Sequence, residues 1–465
     1  MNNHCLEFFR SHNGADSGPP QQKSLGMSNA RIFDEIFSCR AYGDDLNTFP
    51  MIFHYHRLNR YSFNALAGAM DSDPELAELP ISLARTKEEL HAAAASILHR
   101  QDRVIVALSI LTIQSREMRH LVRQLRSDYG QRVTILAGGP HATADPLGTL
   151  QSGVDVVFRG EAETIFPEVL KQLAEGQEIR NSAGVSLHRN DGVIISPRAH
   201  PVHIDAFCSI SPRRKMFGPI EITRGCPFAC SYCQTSHLFG IRPRHRSVAG
   251  IVRQAAALCS KNRRVVRLLS PNAFSYGSPD GRQLNLAAIH ELLAALRETV
   301  SRDGKIIFGY FPSEVRPEHV TPEALELLRE YANNDEVVIG AQSGSERMLD
   351  ICRRSHSVED VLTAVSRARK AGYKVIVDLI FGLPGESAQD VRDTVAVMTE
   401  VVRLGARIHP HAFVPLPQTA FATEPRGKIP PEIIRALGQL AQRQAIYGDW
   451  TLEVSGMPPV PPWPS

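Results

Sequence analysis

Short apolar runs alternate with amphipathic, helix-length stretches along most of this chain, and this alternation restricts the fold more than any other feature of the sequence. Parallel strands need a crossover connection that is usually a helix, so such alternation is typical of parallel α/β sheets. The runs form two series, one ending near residue 160 and one beginning near residue 218. We therefore predict two α/β domains, which the length of 465 residues also favours.

The first series predicts a Rossmann-like, doubly wound parallel sheet in a domain over residues 46–180. An amphipathic pattern around residues 115–128 is typical of one of its crossover helices. A ligand of such a sheet is expected beyond the carboxyl ends of the strands, where the strand order reverses. The predicted strands cover residues 50–56, 80–84, 103–111, 132–139 and 154–160.

The second series predicts a partial (βα)6 TIM-type barrel over residues 216–428. Helical patterns at 284–300 and 357–372 separate some of its strands, and its chemistry is expected at the carboxyl ends of the strands. The predicted strands cover residues 219–225, 264–270, 305–312, 336–344, 374–384 and 407–415.

Three segments lie outside the two series. We predict a partly disordered N-terminal leader over residues 1–45, with a short helix at 30–37. A linker over residues 181–215 contains a predicted β-hairpin at 184–196. The remaining segment, residues 429–465, is predicted to hold a closing helix at 430–448 and a proline-rich tail. The tail is expected to form neither a helix nor a central strand, because proline supplies no backbone donor.

Composition excludes several partner classes. A net charge of +3 gives no case for nucleic acid or an anionic membrane as a partner. The longest apolar run, residues 104–113, is far shorter than the ~20 residues of a membrane-spanning helix. The N-terminus lacks the basic start and apolar core of a signal peptide. We therefore expect a cytoplasmic protein with no stable membrane span, whose reduced cysteines bind metal or act in catalysis.

Three of the eight cysteines, Cys226, Cys230 and Cys233, stand close together directly after the first predicted barrel strand. Structural zinc sites usually take four ligands, and a zinc site is one interpretation of these cysteines. A [4Fe–4S] cluster held by three thiolates instead keeps one iron free for another ligand, and thiolates are soft ligands suited to iron. The other cysteines are scattered singly and are interpreted as small hydrophobic residues.

The C-x3-C-x2-C spacing in "ITRGCPFACSYCQTS", with Tyr232 before the last cysteine, resembles the radical S-adenosylmethionine (SAM) superfamily. The resemblance implies that Cys226, Cys230 and Cys233 bind three irons, and that the fourth iron chelates the amino and carboxylate groups of SAM. It also implies that one electron cleaves SAM to a 5′-deoxyadenosyl radical. The electron donor is expected to be a protein such as flavodoxin or ferredoxin.

Later predicted strands resemble the same superfamily. Residues 337–361 resemble the superfamily's fourth barrel strand, whose polar residues contact the ribose and methionine of SAM. The resemblance implies that Gln342 and Ser343 make these contacts here. The fifth resembles the segment that packs on adenine, and Gly382 and Gly385 would let the backbone approach the ring closely. Residues 411–421 resemble the sixth-strand ending.

The second barrel strand departs from the family pattern. It ends in "LLSPNAFSYGS", which replaces the acidic, glycine-rich motif that usually binds the methionine amino group. Ser270 and Asn272 occupy that place and are candidates to accept the hydrogen bond. Glu314 and Arg316, after the third strand, are further polar candidates or, equally, a surface ion pair or helix-start charges.

The first domain resembles cobalamin-binding Rossmann-like domains, which carry D-x-H-x-x-G, then S-x-L, then G-G. Ser109 and Leu111 end one predicted strand, and Gly138 and Gly139 end the next. Small residues there let the nucleotide tail pass between strands and helices. The resemblance implies cobalamin as a cofactor, with these four residues and Thr112 among its contacts. The stretches "LAGGPHATADP" and "FRGEAE" also resemble the cobalamin-binding radical SAM class.

The first cobalamin motif also departs from its pattern. In "FNALAG", residues 63–68, Phe63 takes the aspartate position and Ala65 the histidine position, so no imidazole from this motif can ligate cobalt. The lower face of the corrin is expected to be open, held by water or capped by another residue. His56 is either that ligand or a loop residue, and His141 either reaches the cofactor or is a loop histidine.

Together the resemblances imply a cobalamin-dependent radical SAM enzyme that methylates an unactivated carbon of a small-molecule substrate. Alternatives are a non-methylating rearrangement or cyclisation, and a radical SAM enzyme whose first domain no longer binds cobalamin. On the sixth barrel strand, His409 and His411 either line the cavity or pack against helices.

Two rival functions, a tRNA methylthiotransferase and a non-enzymatic cobalamin carrier, predict sequence features that differ from those of this chain. A tRNA methylthiotransferase would carry three more cysteine ligands upstream of the barrel, where the sequence has only Cys5 and Cys39 before Cys208. A non-enzymatic cobalamin carrier would not need the three-thiol site.

Overall fold

The computed structural model describes residues 50–189 and 192–448. The predicted leader, its helix at 30–37 and the proline-rich tail lie outside the described residues. The strands are β1 (Met51–His54), β2 (Ile81–Ala84), β3 (Val104–Ser109), β4 (Val133–Gly138), β5 (Val156–Phe158), β6 (Val185–Arg189), β7 (Gly192–Ile194), β8 (Ile220–Glu221), β9 (Thr223–Arg224), β10 (Arg244–His245), β11 (Val265–Leu269), β12 (Lys305–Ile307), β13 (Glu336–Gln342), β14 (Lys374–Phe381) and β15 (Ala406–Ala412). The α-helices are α1 (Arg60–Asp71), α2 (Lys87–Leu98), α3 (Ser115–Tyr129), α4 (Gly139–Ala144), α5 (Pro146–Gln151), α6 (Ile165–Ala174), α7 (Thr235–Phe239), α8 (Val248–Ser260), α9 (Leu286–Thr299), α10 (Pro322–Tyr331), α11 (Glu346–Ile351), α12 (Val358–Lys370), α13 (Ala388–Arg403) and α14 (Pro431–Gln442).

The first seven strands form one sheet in the order β2-β1-β3-β4-β5-β6-β7. Strands β1 to β5 run parallel to their neighbours, and β6 and β7 form an antiparallel hairpin beside β5. The strand order reverses between β1 and β3, which confirms the predicted doubly wound, Rossmann-like sheet. The carboxyl ends of β1, β3 and β4 therefore meet at one edge of this sheet.

Helices cover both faces of the first sheet, which explains why its strands are continuous apolar runs. In β3, Val104, Val106 and Leu108 pack on the face that α2 and α3 cover. Ile105 and Ala107 pack on the opposite face, against α1 and α6. The sheet is therefore the middle layer of three. Within the described part of the chain, no helix combines the length and apolar character needed to cross a membrane.

The hairpin predicted at residues 184–196 is present as β6 and β7, and it extends the first sheet. Val185 lies opposite Phe158, and Leu187 lies opposite Val156. Both hairpin residues are buried in the aromatic core of that sheet. An isolated two-stranded hairpin is marginally stable in water, so attachment to β5 gives it the packing that it needs.

The second series folds into the predicted partial barrel. Two parallel groups, β8-β11-β12 and β13-β14-β15, follow chain order. A parallel bridge between Val315 and Ile339 connects the segment after β12 to β13. The six parallel strands confirm the (βα)6 TIM-type architecture, and their carboxyl ends open to the same side.

Two predicted barrel strands are shorter than their apolar runs. The run at 305–312 leaves the sheet after Ile307, because the Asn334 side chain accepts from the Phe308 amide and donates to the Phe308 carbonyl. The run at 219–225 divides, because β9 turns away to pair with β10 in an antiparallel ladder. Side-chain amides and distant strands are partners that a local apolar pattern does not reveal.

Candidate functional site

The three clustered cysteines lie in the loop between β9 and α7, at the carboxyl end of the first barrel strand. Gly225 begins this loop with φ +94°, and a Cβ there would lie 2.5 Å from the Arg242 carbonyl oxygen, so only glycine fits without strain. The Cys226 amide donates to the Gly240 carbonyl at 3.1 Å. The Ser236 hydroxyl donates to the Cys226 carbonyl at 2.6 Å. The protein itself therefore fixes the backbone of the cysteine loop.

All three thiols line one cavity of about 390 Å³ at the carboxyl ends of the barrel strands, which we call the thiol cavity. Burial raises the pKa of Cys226 to about 11 and also raises the pKa of Cys233. A metal must therefore displace protons from these thiols as it binds, which is usual for thiolate ligands. The polar side chains that share the cavity with the cysteines are those of Tyr232, Thr235, Asn272, Glu314, Arg316, Gln342, Arg354, Asp378 and His411.

Two fixed cations stand beside the thiols. Arg354 is buried, and its Nη1 lies 3.5 Å from the Cys230 Sγ, while its Nη2 donates to the Gly340 carbonyl at 2.6 Å. The Arg316 guanidinium lies over the Phe228 ring, 3.5 Å from the ring centroid. This arrangement stabilises negative charge in the cavity, whether on thiolates or on the carboxylate of a ligand.

Glu314 faces these arginines from the segment after β12. Burial raises the pKa of Glu314, although the Arg354 charge opposes the rise. Gln342 donates from Nε2 to the Glu314 Oε2 at 3.2 Å. Gln342 has φ +73° and follows a register shift at Gly340, a backbone conformation that is uncommon outside glycine. A carboxylate that burial disfavours gains from a cationic ligand, so Glu314 suits an ammonium group.

The structure brings only some of the predicted barrel residues into the thiol cavity. Gln342 and Asn272 line it, whereas Ser270 and Ser343 are buried outside its lining. The Asn272 Oδ1 accepts from the Arg316 backbone amide at 3.2 Å, and the Ser270 hydroxyl donates to the Asn272 carbonyl at 2.8 Å. Ser270 and Asn272 therefore hold the loop after β11 in shape.

Gly382 and Gly385, predicted to approach adenine, line a different and more open cavity of about 810 Å³. A Cβ on Gly382 would lie 2.7 Å from the Lys428 carbonyl oxygen, and its φ is +70°. Glycine is therefore needed at position 382 because the segment after β14 lies against the chain near residue 428, where a side chain would collide with the backbone.

Glu386 lies in the same open cavity and gives a pH-dependent prediction. Burial raises its pKa to about 7, although a hydrogen bond from the Gly382 amide opposes the rise. The folded protein keeps this carboxyl protonated where the unfolded chain, with a pKa near 4.5, has ionised it. Its effect on the free energy of unfolding is therefore nil below about pH 4, grows as pH rises, and reaches a loss of about 3 kcal/mol above about pH 8.

We expect Glu386→Gln to have a higher Tm than the parent at pH 8 and an equal Tm at pH 4, measured by scanning calorimetry. The glutamine carbonyl still accepts from the Gly382 amide, so the change removes only the ionisation. Glu400→Gln is the control, because an exposed Arg403 partner lowers the pKa of Glu400 and no gain is expected at pH 8. Equal Tm differences for Glu386→Gln at both pH values would contradict this account.

Asp378, His409 and His411 form a polar triad on β14 and β15. The His409 Nδ1 lies 2.8 Å from the Asp378 Oδ1 and 3.1 Å from the His411 Nε2. Burial acts to raise the pKa of Asp378, but hydrogen bonds with the two imidazoles lower it, so the carboxylate is ionised. Asp378 and His411 line the thiol cavity, while His409 packs edge-on against Phe311 and Tyr447. His411 therefore lines the cavity, as one interpretation predicted, whereas His409 packs against aromatic rings in the segments after β12 and after α14 and not against helices.

Sequence reasoning missed Arg354 and Asp378. Asp378 had a usable signal, because it is the one acidic residue in the apolar run of β14. A charge in a strand that is buried on both faces needs a partner or a ligand. Arg354 had no comparable signal, since it follows Arg353 in a polar stretch and only the fold brings it to Cys230.

A second cavity, of about 290 Å³, lies between the carboxyl edge of the first sheet and the barrel, and we call it the domain cavity. Its apolar wall comes from both faces of the sheet edge and from α1 and α6. Its polar wall includes carboxylates from the first domain and from the first barrel strand. The residues discussed below that line it are Phe63, Ala65, Ala107, Ser109, Leu136, Gly138, Gly139, Phe158, Glu161, Glu163, Phe166, Glu221, Arg224 and Phe239.

Three of the five predicted cobalamin residues line the domain cavity, namely Ser109, Gly138 and Gly139. Gly139 has φ +91°, and a Cβ there would lie 2.8 Å from the Ile110 amide nitrogen, so a larger residue would separate the loops after β3 and β4. The structure places Leu111 and Thr112 outside the lining. The chain turns into a 3-10 helix over Thr112–Gln114, which carries these two residues away from the cavity.

Ala65 faces the domain cavity from α1, where the family pattern has histidine. His56 lies outside the lining, and its Nε2 contacts the Asn59 side-chain nitrogen at 2.9 Å. His141 also lies outside it, with its Nε2 4.0 Å from the Asp145 carboxylate. The described lining of this cavity therefore includes no imidazole. His56 is a loop residue, whereas His141 lies in the short helix α4 and not in a loop.

Two family models match this chain. Residues 220–398 match the radical SAM superfamily, and residues 83–170 match the B12 binding domain. The first match runs from β8 into α13 and covers the thiol-cavity lining up to Ile380, but not the lining residues from His411 onward. The second covers Ser109, Gly138 and Gly139.

Three curated proteins resemble this chain in sequence over more than half of its length. An uncharacterized protein of Methanopyrus kandleri is 27% identical, over 73% of this chain and 71% of its own length. An uncharacterized methyltransferase of Pyrococcus horikoshii is 26% identical, and the match covers 65% of each protein. A mitochondrial tRNA methylthiotransferase of Mus musculus is 29% identical over 59% of this chain, but the match spans only 48% of that protein.

Two solved structures share the fold over most of this chain. TsrM from Kitasatospora setae, a radical SAM methyltransferase solved with cobalamin and a [4Fe–4S] cluster, aligns with a TM-score of 0.61 at 16% identity, covering 81% of this chain and 74% of TsrM. OxsB, a cobalamin-dependent SAM radical enzyme, aligns with a TM-score of 0.59 at 16% identity, covering 76% of this chain and 52% of OxsB. At this identity the likeness establishes the fold.

Proposed function

We propose that this chain, a member of the radical SAM superfamily with a B12 binding domain ahead of its barrel, is a cobalamin-dependent methyltransferase acting on an unactivated carbon of a small molecule. One observation carries the proposal. Arg224 lines the domain cavity, and Cys226, two residues later, lines the thiol cavity. A cofactor in each cavity would therefore stand on opposite sides of one short segment.

The residues of the thiol cavity fit a [4Fe–4S] cluster with SAM. Cys226, Cys230 and Cys233 supply three soft ligands from one loop and leave a place for a fourth, non-protein ligand. Arg354 would bind a carboxylate, and Glu314 would accept hydrogen bonds from an ammonium group. These are the two charged groups of the methionine part of SAM.

The residues of the domain cavity fit a corrinoid. Phe63, Phe158 and Phe166, with Ala107 and Leu136, form an apolar wall that suits an aromatic base on a nucleotide tail. Glu161, Glu163 and Glu221 provide carboxylates near the barrel, which suit the amide N–H groups at the rim of a corrin. Ala65 offers a methyl group where a lower-face imidazole would otherwise stand.

The two cofactors, when bound, would support conversion of one C–H bond to C–CH3 while two molecules of SAM and two electrons are consumed and methionine, 5′-deoxyadenosine and S-adenosylhomocysteine are released. A low-potential one-electron donor of the flavodoxin or ferredoxin class would supply the electrons. The protein's own part is to hold the charged ends of SAM with Arg354 and Glu314 and to keep the reacting groups close and away from water.

The relationship to tRNA methylthiotransferases does not lead to a tRNA substrate here. Upstream of Cys208 the sequence offers only Cys5 and Cys39, fewer than the three thiols of a second cluster. The described lining of the domain cavity contains no cysteine. The apolar and carboxylate side chains of that lining suit a corrinoid, whereas a second iron–sulfur cluster would need thiolate ligands that the lining lacks.

Cofactor reconstitution tests the proposal. The protein is purified without oxygen, loaded with iron, sulfide and hydroxocobalamin, desalted, and examined by metal analysis, absorbance and EPR. We expect about four irons and one corrinoid per chain, with the EPR spectrum of cob(II)alamin that lacks a nitrogen ligand. Iron without retained corrinoid would overturn the methyltransferase proposal and leave a radical SAM enzyme with another use for its first domain. Retained corrinoid without methylated product from any tested substrate pool would favour a rearrangement or cyclisation.

A further inference from the structure

A buried ionic cluster joins the first domain to the cysteine loop. The Arg224 guanidinium donates from Nη1 to the Glu161 Oε2 at 2.8 Å and from Nη2 to the Glu163 Oε1 at 2.6 Å. It also donates from Nε and Nη2 to the two Glu221 oxygens, at 3.0 and 2.7 Å. Arg224 is 6% exposed, and Glu161 and Glu163 are 5% and 7% exposed, so water hardly reaches the cluster.

The cluster bridges two parts of the chain that are distant in sequence. Glu161 and Glu163 follow β5 in the first domain, whereas Arg224 ends β9 and stands two residues before Cys226. Arg244, the ladder partner of Arg224 on β10, donates to the Glu161 Oε2 at 2.9 Å. The paired strands β9 and β10 thus each provide an arginine that binds the same carboxylate of the first domain.

The ionised groups of this cluster keep their charges although they are buried, because each carboxylate has a guanidinium beside it. Burial acts to raise the pKa of Glu163, but the adjacent Arg224 charge outweighs it and the pKa is lowered, so Glu163 stays ionised. Arg224 binds three carboxylates at once through all of its side-chain nitrogens. A lysine at this position would have one nitrogen and no fixed fork, so it could not reproduce the geometry. Buried ion pairs contribute little net stability, and their best-attested use is to specify one arrangement.

We infer that Arg224 is a positioning residue that locks the cysteine loop to the first domain and so sets the placement of the thiol cavity relative to the domain cavity. The inference rests on the proposed function, and it concerns a residue that touches neither reacting group. Arg224 lines the domain cavity together with Phe239, whose ring lies 5.5 Å from the guanidinium carbon.

Two partial reactions should depend differently on this lock. Reductive cleavage of SAM would need only the thiol cavity. One electron would break an S–C bond to give methionine and the 5′-deoxyadenosyl radical, and this radical would become 5′-deoxyadenosine by taking a hydrogen atom from the substrate or, without substrate, from the reductant or the solvent. Methyl transfer from SAM to a corrinoid would need both cavities, held in a fixed position relative to each other. When a corrinoid is bound, this step would break the S–CH3 bond, transfer the methyl group to the reduced corrinoid, which would supply the electron pair of the new bond, and release S-adenosylhomocysteine. The reduced cobalt is supplied by a low-potential one-electron donor of the ferredoxin or flavodoxin class.

The first test uses the full-length protein without cofactors. In Arg224→Lys, hydrogen–deuterium exchange is expected to rise at least about tenfold in peptides covering residues 159–163 and 224–233, because both sides of the lock are released. Arg126→Lys is the matched control, since Arg126 pairs with Asp155 inside the first domain. Its effect is expected to stay near residues 126–155. Unchanged exchange in both lock peptides of Arg224→Lys would overturn the inference.

The second test uses the reconstituted enzyme with a chemical reductant. We expect Arg224→Lys to retain iron and corrinoid, to release 5′-deoxyadenosine within about twofold of the parent, and to form S-adenosylhomocysteine at least about tenfold more slowly. Equal losses in both partial reactions, or no loss in either, would overturn the inference. If Arg224→Lys fails to fold, Arg244→Lys is tested in the same way, because Arg244 also holds the Glu161 carboxylate and lies outside the lining of both cavities. A parent protein that holds no corrinoid would overturn the proposed function and the catalytic part of this inference, while the exchange experiment decides the lock by itself.

Discussion

Replacing Cys226 by serine is expected to abolish the iron–sulfur cluster and the cleavage of SAM. Three thiols of one loop line the thiol cavity, and the loss of one leaves two protein ligands for four irons. After anaerobic reconstitution, iron should fall from about four per chain to well below one, and the charge-transfer absorbance should disappear. Formation of 5′-deoxyadenosine should fall at least about a hundredfold, to the background of the reductant, because no site for the electron remains.

Cys259→Ser is the matched control for this experiment. Cys259 is a half-buried cysteine on α8 that packs against the barrel core and lies outside the lining of the thiol cavity. Iron content and 5′-deoxyadenosine formation should therefore equal those of the parent. Full iron content and SAM cleavage in Cys226→Ser would show that the clustered cysteines do not bind the cluster.

Replacing Ala65 by tryptophan is expected to block corrinoid binding and to leave the cluster intact. Ala65 faces the domain cavity of about 290 Å³, and an indole there would fill space between α1 and the barrel. Retained corrinoid should fall from about one to less than about 0.1 per chain. The reason is that the indole, which buries roughly 150–250 Å² of its own surface, would cover the cavity wall that the corrinoid needs to contact. Iron content and 5′-deoxyadenosine formation should stay within about twofold of the parent.

Ala95→Trp controls for the general effect of adding an indole to a helix of the same domain. Ala95 is exposed on α2, so corrinoid retention should equal that of the parent. Circular dichroism and Tm of both variants separate a blocked cavity from a misfolded domain. Full corrinoid retention in a folded Ala65→Trp protein would show that the domain cavity is not the corrinoid site.

The sequence predicted the fold well because the relevant signals are local. Apolar runs such as β3 and β14 are long and dense, and the amphipathic helices between them are equally clear. The hairpin was also recognisable from its alternation, but its place beside β5 depends on contacts with Phe158 that no local pattern contains. Strand ends were less predictable, because partners such as the Asn334 side chain come from distant parts of the chain.

The candidate site was predictable where a motif is contiguous. Cys226, Cys230 and Cys233 lie within one loop, so spacing alone brings their thiols into one cavity. Arg354, between α11 and α12, and Asp378, within β14, reach the same cavity from more than a hundred residues away, and only the tertiary fold of the barrel brings them there. The buried lock around Arg224 was equally hidden, because two of its three carboxylates, those of Glu161 and Glu163, come from the first domain.

The same limit explains why some predicted contacts lie elsewhere. Leu111 and Thr112 follow β3 in sequence, but the 3-10 turn that begins at Thr112 moves them out of the domain cavity. Gly382 and Gly385 follow β14, yet the chain near residue 428 occupies the space beside Gly382. Proximity in sequence to a strand end does not determine the direction of the next turn.

The hairpin β6–β7 also bears on how copies of this protein behave toward each other. A sheet that ended at β5 would present unpaired backbone N–H and C=O groups, which can recruit a strand from a second molecule. The hairpin satisfies β5 and then ends in β7, a strand of only three residues. So short an edge offers little template for further pairing, and natural sheets use such edges to resist aggregation. The segment between the two series thus protects the first domain against edge-to-edge association during and after folding.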